Sequence, residues 1–133
     1  MAKDITKQVN KLESETDWQA LMAVSENKLV VVDIYSEWCG PCEAMLPTFA
    51  RVFVEFEGAD ERLAIASASI AKLASVIQPT LPREQPIINL DKHGCLPIFA
   101  IYRHKSCIGI VSGPDASQLL NQITLNIPER PDK

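Results

Sequence analysis

No stretch of this sequence is apolar for long enough to cross a bilayer. The best candidate, LVVVDIY at residues 29–35, is far short of the roughly 20 residues a spanning helix needs. The opening MAKDITKQVNKLESE is polar and has no apolar block of the kind that begins a secretory signal, so a cytoplasmic protein that does not enter a membrane is expected. Positive charge is not in excess either: 13 Lys and Arg stand against 17 Asp and Glu, a formal net charge of −4, which argues against nucleic acid as a partner. There are four cysteines, and in a reducing compartment they are not expected to form a disulfide framework. One CxxC supplies only half of a tetrahedral set. With no second pair at zinc-finger spacing, Cys39, Cys42, Cys95 and His93 are not expected to hold a metal. Internal repeats and low-complexity blocks are absent. At 133 residues the chain suits one domain, 1–133, with its own core.

What is present alternates between strand-like and helix-like segments. VNKL reads as a short strand. Thr16, three residues before Gln19, suggests a capping box opening an amphipathic helix through Trp18, Leu21, Met22 and Val24 that ends near Asn27. KLVVVDIY is a β-branched run suited to a strand buried on both faces, with Asp33 out of place in it. After the cysteines, Ala44, Met45, Phe49, Val52, Phe53 and Phe56 recur at helical spacing until Gly58 and Asp60, with a kink expected at Pro47. RLAIASASI reads as a strand and IAKLASVI as a short helix. The segment 78–94, with three prolines, reads as a loop insertion. PIFAIY and CIGIVSG form strands joined by the polar hairpin RHKS, a last helix runs from Ala116 to about Asn126, and 127–133 is expected to be a flexible tail. The order predicts an α/β protein: a central mixed β-sheet flanked by helices on both faces.

In such a sheet, chemistry gathers where a buried strand passes into a helix N-terminus, and YSEWCGPCEAM stands at that point. A cysteine just ahead of the first turn faces unpaired N–H groups and the positive end of the helix dipole, which favours a thiolate on Cys39. Pro41 suits the first helical position, where its missing N–H costs nothing, and Gly40 permits the tight turn. Cys42, set back within the helix, is placed to attack a mixed disulfide formed on Cys39. Asp33, a buried carboxylate beneath this helix end, is expected to have a raised pKa and to exchange a proton with Cys42. The plainer alternative is a carboxylate held in a structural hydrogen-bond network.

VVVDIYSEWCGPC, with Pro47 in the following helix and Leu96-Pro97 ahead of the fourth strand, resembles the thioredoxin family over nearly the whole chain. Counting on from Pro97 without gaps places Gly113 on the glycine of the family's last strand. The resemblance implies a thioredoxin fold, with Cys39, Cys42, Asp33 and Pro97 as catalytic residues. It also implies a cis Pro97 whose neighbouring backbone, at Leu96, pairs with the substrate strand. Trp38, Gly40 and Pro41 would complete the surface on which disulfide-bearing protein substrates dock; for Trp38, ordinary core packing is the alternative. No bound cofactor is needed, since electrons would arrive from a reductase or another thiol pool. Cys95, two residues before Pro97, would lie near the site as a regulatory thiol, unless it is a small apolar filler; Cys107 reads as core.

The departures from the family are also specific. Glu43 stands where members commonly carry Lys or Arg, Ser67 where a charged residue commonly accompanies the buried Asp, and Lys105 near the usual tight-turn glycine of the last hairpin. Together with CLPIF and SGPDASQLL, the active-site phrase is more similar to the thioredoxin-like light chains of axonemal outer-arm dynein and to ciliary thioredoxin domains. This resemblance implies a docked light-chain subunit of the cilium or flagellum axoneme, with a dynein heavy chain or other axonemal proteins as partners. It also implies a redox-sensing or adaptor role. The alternative is a free cytosolic thioredoxin, a general protein-disulfide reductant. A negative charge at Glu43 opposes the thiolate. Glu43→Lys is predicted to lower the pH at which Cys39 ionises and to speed insulin-disulfide reduction. Unchanged thiolate absorbance across a pH titration would remove Glu43 from this role.

Overall fold

The computed structural model describes residues 9–35, 45–80, 98–112 and 115–128. Five strands, β1 (Val9–Leu12), β2 (Leu29–Tyr35), β3 (Leu63–Ser69), β4 (Ile98–Arg103) and β5 (Ser106–Ser112), form one sheet in the order β1-β3-β2-β4-β5. β1, β3 and β2 run parallel, while β4 and β5 are antiparallel additions. The sheet is thus mixed, as the alternation of elements implies. β2 lies at its centre and every one of its residues is buried, which is why its sequence is a continuous apolar run rather than an alternating one.

Because side chains alternate across a strand, β2 feeds two cores. Val30, Val32 and Ile34 pack with Trp18, Leu21 and Met22 of α1 (Glu15–Val24) and with Leu73 and Ile77 of α4 (Ile70–Ile77). On the other face, Leu29 and Val31 pack with α2 (Leu46–Glu55), α3 (Ala59–Arg62) and α5 (Ala116–Asn126) through Phe49, Val52, Phe53, Ala59, Leu119 and Ile123. Each aliphatic side chain buried in this way contributes about 1.5–3 kcal/mol of transfer free energy. Edge-to-face ring contacts lock each layer to the sheet: Trp18 on Tyr102, centroids 5.4 Å apart, and Phe49 on Phe99, 6.1 Å apart.

Local signals account for most element ends. α1 is capped by Ser14 rather than by a Thr16–Gln19 box: Ser14 Oγ accepts from Asp17 N–H at 3.2 Å, and Asp17 Oδ2 accepts from Glu13 N–H at 2.9 Å. The arrangement is related to a capping box two residues earlier, except that Asp17 accepts from Glu13, the residue before the cap, and not from Ser14 N–H. The helix also stops at Val24, short of Asn27, because Ser25 to Asn27 turn back with Asn27 N–H donating to Val24 O at 3.0 Å. In α2, Pro47 sits in the first turn, where a missing N–H is tolerated. The kink expected there involves the chain before Met45, outside the described residues. Gly58, at φ 69°, ends that pattern, but a four-residue helix not foreseen in the sequence, α3, follows directly. Arg62 fixes α3 by donating to Glu57 O and Pro128 O, at 2.8 and 2.7 Å, and stacks over the Phe56 ring. The segment 78–94 opens with a 3-10 turn, Gln78–Thr80, and its remainder lies outside the described residues. At the far end, Ile127 packs against the α2/α5 core.

The β4–β5 hairpin closes through His104 and Lys105, with φ of 54° and 65°. Both positive values are the type I′ pattern, which matches strand twist but costs a side-chain-bearing residue roughly 1–2 kcal/mol in the left-handed region. The turn is held against the end of α1: His104 N–H donates to Ser25 O and Lys105 N–H to Ser25 Oγ, both at 2.8 Å. Arg103 Nη1 reaches the carbonyls of Ser25 and Glu26 at 2.9 and 2.7 Å. Ser25, fully buried, is the joint between the helix and the hairpin.

Tyr102 links β4 to the 3-10 turn through a 2.6 Å hydrogen bond with Thr80 Oγ1. Burial pushes its phenol well above the ordinary value of 10, against a smaller opposing effect of the Thr80 hydrogen bond. Since the folded-state value is raised, this stabilisation is complete below pH 10 and declines above it, where the unfolded chain ionises Tyr102 and the folded chain does not. Urea unfolding as a function of pH should therefore show a loss of stability above pH 10 that is reduced in Tyr102→Phe. Parallel alkaline profiles for the two proteins would contradict this.

Candidate functional site

Period-two alternation carries β2 from Leu29 and Val31 to Asp33 on the sheet face that α2 and α5 cover. Asp33 is only 4% exposed. The sheet register sets it between Ser67 of β3 and Phe99 of β4, themselves 3% and 0% exposed. Neither cross-strand neighbour carries a charge. A carboxylate between a hydroxyl and an aromatic ring, in a largely apolar layer, is a costly placement unless its oxygens are hydrogen-bonded. The polar line continues to Ser69, opposite Tyr35. Its hydroxyl is buried and has no hydrogen-bond partner among the described residues. Ser69, unlike Ser67, is not singled out in the sequence; its signal is its place two residues on, on the same face of the same strand.

From Tyr35 the chain leaves the sheet into residues 36–44 and returns at Met45, 2% exposed, to begin α2. Ile34 pairs with Ile98, the first residue of β4, and Ile98 pairs with Ser112, the last of β5. The end of β2, the end of β3 and the start of β4 therefore meet at one end of the sheet. Tyr35, the last described residue before CGPC in the sequence, and Ile98, the first after Leu96-Pro97, lie on the neighbouring strands β2 and β4 at that end. Of the residues expected to form the site, Asp33 is described. Trp38, Cys39, Gly40, Pro41, Cys42, Glu43, Cys95, Leu96 and Pro97 lie outside the described residues.

Cys107, by contrast, is described and is remote from this end. It lies half-buried in β5, packs at the margin of the α1/α4 core, and its Sγ is 3.5 Å from Gly109 O. Burial pushes its thiol up, only partly offset by the Gly109 and Ile101 backbone contacts. It is suited to packing and not to nucleophilic chemistry.

Comparison with known proteins agrees with this architecture. The thioredoxin family model matches residues 8–124, and the chain belongs to the thioredoxin family. It is similar to thioredoxin domain-containing protein 6 of Mus musculus, 29% identical over 121 residues, 91% of this chain but 32% of that protein. It is also similar to the 14 kDa light chain of flagellar outer-arm dynein from Chlamydomonas reinhardtii, 25% identical over 116 residues, 87% of this chain and 79% of the light chain. Among solved structures, thioredoxin from Nicotiana alata superposes with a TM-score of 0.65 at 24% identity, covering 91% of this chain and 94% of that one, which establishes the shared fold.

The Cys107 environment yields a direct expectation. In the native protein at neutral pH, Cys107 should react with a thiol reagent such as DTNB at least about tenfold more slowly than in the urea-unfolded chain. Cys107→Ser should leave the fast-reacting thiols unchanged in number. Loss of a fast-reacting thiol in that variant would contradict the burial argument.

Proposed function

We propose that this chain is a dithiol–disulfide oxidoreductase, with its redox pair at Cys39 and Cys42, carried as a light-chain subunit of outer-arm dynein in the ciliary axoneme. The observation that carries the redox half is Asp33: a carboxylate buried in the central strand, six residues before Cys39, on the face that the following helix covers. In the reaction, the Cys39 thiolate attacks a sulfur of a substrate disulfide, forming a mixed disulfide and releasing one substrate thiolate. Cys42 passes its proton to Asp33 and attacks Cys39 Sγ. The second substrate thiol leaves, and Cys39–Cys42 remains as a disulfide until electrons from a reductase or thiol pool restore it. Leu96 and Pro97 border the substrate groove, and Trp38, Gly40 and Pro41 form its apolar docking surface. Cys95 acts as a nearby regulatory thiol.

The docked half rests on the similarity to the Chlamydomonas light chain over most of both chains, and on the altered charges around the pair. Glu43 replaces a basic residue, and uncharged Ser67 lies across from Asp33. Both changes weaken the electrostatic support for a fast, general reductant. A free cytosolic thioredoxin is the second reading, favoured by a family match that spans nearly the whole chain.

Sedimentation of an extract from the native source separates the two. The protein is expected to co-sediment with the megadalton motor fraction, and the purified chain to reduce insulin disulfides slowly. Cys39→Ser should abolish that turnover, and Cys42→Ser should trap a mixed disulfide on Cys39. A protein that runs alone and turns over rapidly would refute the docked reading in favour of the free reductant.

A further inference from the structure

The hairpin tip at His104 and Lys105 combines three properties that a simple connection does not require. Its two residues occupy the left-handed region, where Asn-Gly is the favoured pair, yet the sequence places two basic side chains there, directly after Arg103. The tip is rigid: its two N–H groups and the Arg103 guanidinium are all bound to Ser25 or Glu26 at the end of α1. Its charge is also opposite in sign to that of the molecule, which is −4 overall. The His104 side chain is 66% exposed, with the Glu26 carboxylate 3.8 Å from its Nδ1, and Lys105 is exposed beside it.

The neighbouring edge strand adds an apolar element. The β4–β5 register slips between Ile101↔Gly109 and Tyr102↔Cys107, so Ile108 is the extra residue of a bulge and stands 43% exposed. Such a bulge discourages a further strand from pairing along this edge while offering a side chain to solvent. The tip follows β4 past Tyr102, which pairs with Val30 near the start of β2. It therefore sits at the end of the sheet opposite to the one where β2 runs on to Cys39, about 20 Å away along the strand.

We infer that this tip is a docking surface for an acidic segment of a partner protein. Lys105 makes its ionic contact, His104 a hydrogen bond and Ile108 an apolar contact, and Arg103 holds the turn in place. The inference rests on the docked-subunit reading and deepens it, since a partner held here leaves the dithiol end open. Fixing the turn backbone lowers the ordering cost of binding.

The test uses the full chain, a fluorescein-labelled oligoglutamate peptide and fluorescence anisotropy. The wild-type protein should bind, and binding should weaken as NaCl rises from about 50 to about 300 mM. The double variant His104→Asn/Lys105→Gly, which installs the favoured turn pair, should withstand more urea than the wild type yet bind at least about fivefold more weakly. Glu26→Gln, which removes the carboxylate beside His104, should bind more tightly. No saturable binding by the wild type, or equal binding by the double variant, overturns the inference. Sedimentation of the native protein reads the docked-subunit proposal separately. Co-migration with the motor fraction alongside failure of the peptide assay would remove this surface and leave docking intact; peptide binding by a protein that sediments alone would do the reverse.

Discussion

The two-sided burial of β2 is the constraint on which the rest of the structure depends. A strand covered on both faces has no solvent side on which to place a polar residue, so each of its positions must be apolar or individually satisfied. Six of the seven residues are aliphatic or aromatic, and Asp33 is the single polar one. The same alternation that sends Val30, Val32 and Ile34 into one core and Leu29 and Val31 into the other sends the Asp33 carboxylate toward the helical layer that follows the cysteines. A buried acid is a common feature of chemical sites, and the function proposed for Asp33 toward Cys42 rests on that placement.

The two ends of the sheet differ in chemistry. At one end, β2, β3 and β4 bring Asp33, Ser67 and Ser69 together beneath the point where the chain departs toward Cys39. At the other, Ser25 joins the end of α1 to the β4–β5 turn and fixes a small basic tip on an acidic protein. Between them the cores of Phe49, Phe99, Trp18 and Tyr102 form a stiff body. Interactions at one pole therefore need not disturb the other.

Much of this was legible in the sequence, for identifiable reasons. β2 is legible because a long β-branched run has few other uses, and the mixed sheet with helices on both faces follows from the alternation of elements, whereas the strand order β1-β3-β2-β4-β5 does not. Ser67 was matched to Asp33 by counting, and the parallel register pairs them directly. What escaped was short or ambiguous. Four residues, Ala59–Arg62, are too few to display helical periodicity. The start of α1 lies at Ser14 and Asp17, two residues ahead of the Thr16–Gln19 pattern, and only the geometry of Glu13, Ser14 and Asp17 reveals it. Ser69 was hidden because its neighbours, Ala68 and Ile70, made it look like the end of an ordinary strand. CGPC is the clearest chemical signal in the sequence, because Gly-Pro between two cysteines suits a helix start better than a metal clip, and it lies outside the described residues.

The central claim is that Asp33 handles the proton of Cys42 during resolution of the mixed disulfide. Stopped-flow measurement of that resolution step across a pH series, in the wild type and in Asp33→Asn, tests it most directly. If the account holds, the variant resolves at least about tenfold more slowly near neutrality and loses the wild-type dependence on pH, while formation of the mixed disulfide by Cys39 is little changed. Superimposable resolution rates and pH profiles for the two proteins would contradict it and return Asp33 to a purely structural role.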